Sequence, residues 1–246
     1  MWHSFARSYG GWDLRVSNQR LCLLIGNTRW HWAEEQMGAW NFFHTSPASD
    51  ELLRIQDRLV TWASVGPLPK KACLEPDKNL CLNDVPIPCM PPWLGIDRAL
   101  AAWGALKRAQ RDHRDFRGIL VADAGTVLSL TRLNSAGEFN GGQLAPGLRL
   151  QLSSMGDKTF ALKDPGIGKI SETKFPLNTN EAMRRGSLQA SIGMLKEAQL
   201  DAQLPMMLCG GDSFLLFDHL RQRELPISLY PNLVLEGMVD VCDRIS

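Results

Sequence analysis

An aspartate followed at once by an arginine, Asp97-Arg98, stands where a proline-rich stretch ends in Gly95 and a helical pattern begins. A carboxylate there can take the proton of a substrate alcohol, and the guanidinium beside it can grip a carboxylate through two parallel hydrogen bonds. Asp is also among the preferred helix N-caps, so from pattern alone the same residue reads more readily as a cap than as a catalyst. Two turns offer anion-binding chemistry. Ile25-Gly26-Asn27-Thr28 and Asp123-Ala124-Gly125-Thr126 each end an apolar run in a glycine, where exposed backbone N–H groups and a threonine hydroxyl can meet phosphate oxygens. Singly, each is as well explained as a hairpin turn. Together, roughly a hundred residues apart, they suggest two like-folded halves. Asp123, directly after a buried strand, needs turn amides or a bound cation to satisfy it. Gly141-Gly142 before Pro146-Gly147, and Gly210-Gly211-Asp212, permit close backbone approach to a ligand or to a neighbouring element. Gly166-Ile167-Gly168-Lys169 is not a P-loop, because Lys163 stands where its first glycine belongs and no Ser or Thr follows Lys169. His3, His31, His44, His113 and His219 show no metal-ligand spacing.

Strands and helices must position these residues. Leu21 to Ile25 is a continuous apolar run and predicts a buried strand, followed by a turn and an alternating strand from Arg29 to Ala33. Leu52, Leu53, Ile55, Leu59 and Val60 recur at helical spacing behind Ser49 and Asp50, predicting a helix through Leu59, then a strand over 61–65. From Cys73 to Trp93 the prolines at 76, 86, 88, 91 and 92 predict loop and short extended pieces. A helix is predicted from Asp97 to about Gln110, and strands over 118–122 and 127–133 with a turn from Asn134 to Glu138. A helix after Pro146, a long helix from about Asn180 to Gln199, a strand over 205–209 and two closing helical segments complete an α/β pattern.

The 246 residues carry 27 Lys and Arg against 26 Asp and Glu, a net charge of +1 with no long run of either sign. That balance argues against nucleic acid or an anionic membrane as partner, and Trp30, Trp32 and Trp40 read as packing rather than a base-stacking platform. With 44% hydrophobic and 22% charged residues the chain should fold as a soluble globular protein. No apolar window approaches the roughly 18 residues of a membrane span. Residues 1–20 lack the apolar middle of a secretory signal and read as a loose leader. The six cysteines form no C-x-x-C pair and mostly sit in apolar runs, which predicts buried thiols and a cytoplasmic protein.

In order along the chain, LLIGNTRWHWA, ASVGP, LGIDRALAAWGA, ILVADAGTVLSL, GGQLAPGLRL, Asn178-Thr179 before a helix, and CGGD resemble a type III pantothenate kinase over roughly residues 21–245. The resemblance implies an N-terminal extension (1–20) and two ribonuclease-H-like halves, 21–115 and 116–246, with mixed sheets flanked by helices. The fold would be that of actin-like ATPases, with an ATP cleft between the halves. It implies ATP-dependent phosphorylation of pantothenate to 4′-phosphopantothenate at the start of coenzyme A synthesis, with Mg²⁺ and a monovalent cation, K⁺ or NH₄⁺. It further implies a homodimer with its substrate site at the interface. Residue by residue, Asp97 falls on the general base, and Gly95, Ile96, Asp97 and Arg98 line the pantothenate site with Thr179, supplied across the interface. Asp123 falls on the monovalent-cation ligand. The turn holding Ile25, Gly26, Asn27, Thr28, Arg29 and His31 would hold phosphates with Gly125 and Thr126, while Gly210 and Gly211 flank the adenosine. The chain departs from the family at Leu24, where an acidic residue is usual, and at Pro88, where an aromatic substrate contact is usual and Trp93 or another side chain must replace it. An alternative on the same fold is a non-catalytic regulator of the Bvg accessory factor type.

Overall fold

The computed structural model describes residues 20–70, 74–112, 116–221 and 225–245, so the expected leader, Cys73, His3 and His113 lie outside the described residues. Strand β1 (Leu21–Ile25) is buried along its whole length, as a run apolar on both faces requires. It pairs in parallel with β4 (Leu59–Ser64) and antiparallel with β2 (Trp30–Gln36), and β3 (Ala39–Thr45) closes the order β3-β2-β1-β4. The second sheet repeats the plan. Its central β5 (Ile119–Ala124) runs antiparallel to β6 (Val127–Leu133), which pairs with β7 (Phe139–Pro146), and parallel to β8 (Met206–Cys209), which pairs with β9 (Ile227–Leu229).

Side chains alternate across β1, so Cys22 and Leu24 join one apolar cluster while Leu21, Leu23 and Ile25 join another. The outer cluster is covered by α1 (Ser49–Ile55) through Leu52 and Ile55. The inner cluster holds α2 (Ile96–Asp112) and α6 (Leu233–Ile245), which form a helical layer between the two sheets. On the far side of the second sheet lie α3 (Leu148–Lys158), α4 (Thr179–Ala202) and α5 (Ser213–Leu220). The central helices touch through glycine. A Cβ at Gly237 would stand 2.0 Å from the Leu100 carbonyl oxygen, and one at Gly104 2.5 Å from that of Leu233. Arg108 donates two hydrogen bonds to Glu236, at 2.5 and 2.8 Å, and the Trp103 indole N–H donates to Asp240 at 2.8 Å.

Several expectations are corrected. The first helix ends at Ile55 rather than Leu59; one 3-10 turn follows and Leu59 opens β4, because its parallel pairing with Leu21 outweighs the helical spacing. Gly141 and Gly142 lie inside β7, where the expected close approach is met at Gly142, whose Cβ would stand 2.2 Å from the Leu130 carbonyl oxygen, and β3 and β9 are further strands that the pattern did not single out. Cys22, Cys209 and Cys242 are buried as expected, but Cys81 and Cys89 are exposed. No described helix is long and apolar enough to cross a membrane.

Candidate active site

The first glycine turn is held by its own backbone, with the Gly26 N–H donating to the Arg29 carbonyl at 3.0 Å. The end of β4 presses on it: a Cβ at Gly66 would stand 2.2 Å from the Gly26 carbonyl oxygen. Asn27, Thr28 and Arg29 are exposed at the tip, whereas the Ile25 side chain is buried on the outer face, so only its backbone can meet a ligand. The second turn rests on the start of α3, where the Gly147 N–H donates to the Thr126 carbonyl at 3.0 Å. Thr28 Oγ1 and Thr126 Oγ1 stand 3.3 Å apart, so the two turns face each other across one cleft. Gly210 and Gly211 form its third wall, with the Asp212 N–H bonded to the Ala124 carbonyl at 3.0 Å. Burial pushes up the pKa of the Asp212 carboxyl, against the lowering charges of Arg149 and Arg29.

Asp123 lies on the inner face of β5 in register with Cys209 of β8. Gly210, at φ +89°, allows this, since a Cβ there would stand 2.2 Å from Asp123 Oδ1. Burial, helped by the charge of Asp97, raises the Asp123 pKa from 3.8 to about 7. A carboxylate so placed fits a cation: its ionised form is disfavoured by partial burial and by the charge of Asp97. Among the described residues no cluster of three or more His, Cys, Asp or Glu could cage a metal. Leu24 points into the central apolar cluster at 3% exposure. A divalent ion here would therefore draw its ligands chiefly from nucleotide phosphates, as Mg²⁺ commonly does.

Asp97 sits one residue inside α2 rather than at its cap. Its Oδ1 accepts from the Arg98 backbone N–H at 2.8 Å, and Gly95 leaves room for that bend, because a Cβ there would stand 2.6 Å away. Burial raises its pKa, against the lowering effect of Arg98. A buried carboxylate with raised pKa is a stronger base once ionised. Arg98 is itself buried: Nε donates to Thr131 Oγ1 at 3.2 Å and Nη2 to the Leu130 carbonyl at 3.1 Å. Gly142 clears its path, since a Cβ there would stand 2.5 Å from Arg98 Nη2. Ile96 turns its side chain into the core. Trp93, 71% exposed two residues before Gly95, meets Phe139 edge to face at 6.5 Å. This pair presents aromatic surface next to Pro88, whose carbonyl accepts from the Phe139 N–H at 3.0 Å.

The fold thus brings together Gly26 to Arg29, Gly125, Thr126, Asp123, Asp97, Gly210 and Gly211. Thr179 stands apart, exposed at the first position of α4, where Asn178 caps the helix by accepting from the N–H groups of Asn180 and Glu181 at 2.9 and 3.3 Å. No hydrogen bond or ion pair among the described residues joins it to Asp97. Arg149 and His44 escaped the sequence reading. Arg149 carries a weak signal, a cation in the first turn after Pro146-Gly147, whereas His44 enters only by strand pairing.

A family profile described as type III pantothenate kinase matches residues 84–200. The type III pantothenate kinase of Thermosynechococcus vestitus is 35% identical over 209 residues, covering 80% of this chain and 78% of that protein. That of Synechococcus sp. strain JA-3-3Ab is 35% identical over 236 residues, covering 89% and 90%. A protein assigned to the Baf family of transcriptional activators from Campylobacter jejuni superposes with a TM-score of 0.60 at 18% identity, over 92% of this chain and 97% of its own. A protein described as a 2-dehydro-3-deoxygalactonokinase from Sinorhizobium meliloti gives 0.56 at 12% identity, over 92% and 99%. At such identities the structural likeness shows the fold alone, the two-sheet α/β fold of actin-like ATPases and sugar kinases.

Proposed function

Because this chain belongs to the type III pantothenate kinase family, we propose that it transfers the γ-phosphoryl group of ATP to the primary hydroxyl of pantothenate, giving 4′-phosphopantothenate and ADP in the first step of coenzyme A synthesis. The observation that carries this reading is the convergence of Asp97 with two facing phosphate turns. Asp97 takes the hydroxyl proton as the oxygen attacks the γ-phosphorus, the bond from that phosphorus to the bridging oxygen breaks, and ADP leaves with the electron pair. Thr28, Thr126 and the Gly125 amide hold the phosphates, while Gly210 and Gly211 give the adenosine a flat approach. Magnesium on the nucleotide would neutralise charge on the transferred group. Asp123 would hold a monovalent cation in the same cleft. Arg98 offers its remaining N–H groups to the pantothenate carboxylate, and Trp93 with Phe139 supplies the apolar contact that Pro88 does not.

Residues 21–115 and 116–246 act as the two halves of this cleft. A homodimer in the cytoplasm completes the substrate site with Thr179 of a second copy. The exposed face of α4 supports pairing of this kind: Gly186 and Gly193 have open space where a side chain would be, and Phe175 and Leu177 are exposed beside its start. The test is ADP release by purified protein given ATP, Mg²⁺ and K⁺, with and without pantothenate. Pantothenate-dependent release is the expected result. Silence from folded protein overturns the reading in favour of a non-catalytic kinase-like regulator.

A further inference from the structure

His31 pairs across β2 with Leu24 of β1 on one side and His44 of β3 on the other, so the three side chains stand in a row on one face of the first sheet. The two imidazoles meet Nδ1 to Nδ1 at 2.9 Å, with ring planes at 72°. The row reaches across the molecule at both ends. His31 lays its other ring edge against the phosphate turn, where a Cβ at Gly26 would stand 3.1 Å from His31 Nε2. His44 lies beside Asn232, which favours its protonated ring, and the Asn232 backbone carbonyl accepts from the Glu236 N–H at 2.9 Å as α6 begins. Around the pair, Leu24 is apolar and Arg29 is the charged group that acts on both rings. Burial and these positive neighbours lower the His31 pKa to about 4 and lower that of His44, so both rings are neutral at physiological pH.

Two neutral imidazoles can share an Nδ1···Nδ1 bond only if one donates and the other accepts. If His31 donates, its Nε2 lone pair faces the turn and repels a phosphate oxygen. If His44 donates, His31 carries its proton on Nε2 and offers the turn a neutral N–H. We propose that His44 is a positioning residue of the nucleotide site: it fixes His31 as the Nε2–H tautomer, whose proton bonds a phosphate oxygen seated at Gly26. The proposal rests on the nucleotide-binding role of that turn. An uncharged donor at this point suits a strand whose neighbour is Leu24, because it adds no charge to the apolar layer behind it.

The experiment uses full-length protein, with ADP as probe. Calorimetric ADP binding and ATP kinetics are compared for wild type, His44→Ala, His44→Gln, His31→Phe and His31→Phe/His44→Ala, and ¹⁵N-histidine spectra of the ADP complex report the His31 tautomer. His44→Ala should weaken ADP and raise KM for ATP roughly 3- to 10-fold, the worth of one hydrogen bond, with kcat at saturation little changed. His44→Gln, whose NH₂ can donate to His31 Nδ1, should recover most of the loss, and the double variant should be no weaker than His31→Phe alone. The spectra should show protonated Nε2. Unchanged ADP binding in His44→Ala, failure of His44→Gln to rescue in a folded protein, additive losses, or a protonated His31 Nδ1 overturns the proposal. Wild-type protein that binds ADP yet gives no pantothenate-dependent turnover overturns the kinase reading while leaving the histidine test intact. Wild-type protein that binds no ADP overturns both.

Discussion

Asp123→Asn should change how stability depends on pH, in a way that potassium reverses. The folded-state pKa of Asp123 is about 7, against 3.8 for an unperturbed aspartate. As pH rises from about 4 to about 7, the unfolded chain releases this proton while the folded protein retains it, so stability is lost across that window and levels off above it. At about 1.4 kcal/mol per pKa unit, a gap of about three amounts to about 4 kcal/mol. A chain of this size moves about 2–4 °C in Tm per kcal/mol, so the fall is about 8–16 °C. Asn carries no proton to lose, and the difference between wild type and variant isolates this group from other carboxylates. A cation that binds ionised Asp123 should restore the loss above pH 7 and do nothing at pH 4. Thermal melts at half-unit pH steps, in potassium and in tetramethylammonium, read both effects. If wild type and Asp123→Asn fall in parallel from pH 4 to 7, or if potassium and tetramethylammonium act alike at pH 8, the burial reasoning and the cation assignment fail.

Asp97→Asn should lower kcat about 10²- to 10⁴-fold with ADP affinity nearly unchanged, and the rising limb of the wild-type pH–rate profile should lie above the ordinary carboxylate range and vanish in the variant; a variant with full turnover refutes the base assignment. Gly237→Ala forces a methyl against the Leu100 carbonyl and should cost about 1–3 kcal/mol or more in urea unfolding; an unchanged midpoint would mean the helices do not touch there. Thr179→Ala should raise KM for pantothenate about 3- to 10-fold. Mixing it with Asp97→Asn subunits should give more activity than the two alone, because each mixed dimer regains one intact site; no gain after verified subunit exchange refutes a shared site.

Where local sequence carried its own period, it was legible. Leu21 to Ile25 and Ile119 to Ala122 are apolar on both faces and lie in the centres of their sheets, and the long helix begins at the Asn178 cap. The glycine turns and Asp97-Arg98 were visible as residue types at strand and helix ends. Strand β3 was not, because an edge strand half-open to solvent need not alternate cleanly. Nor was β7, in which Gly141 and Gly142 look like a turn; Gly142 is small because Arg98, forty-four positions earlier, occupies the space beside it. Leu59 satisfied two periods at once and only its partner Leu21 decided between them. The His31–His44 bond depends on the register of β2 against β3, a property of a pair of strands that neither segment contains.

Helix α6 fills the middle of the molecule. Leu233, Leu235, Met238, Val241 and Cys242 of α6 complete an apolar layer that also contains Cys22, Leu24 and Ala33 from the first strands. A nascent chain leaving the ribosome therefore cannot seal its first sheet when that sheet has been made. The inner face of β1 must wait, with α2 as partial cover, until α6 emerges from the exit tunnel. Folding of this protein is gated by the synthesis of α6 rather than proceeding half by half, and a ribosome stalled before α6 emerges would hold a product with an open apolar face, the kind of species that chaperones bind.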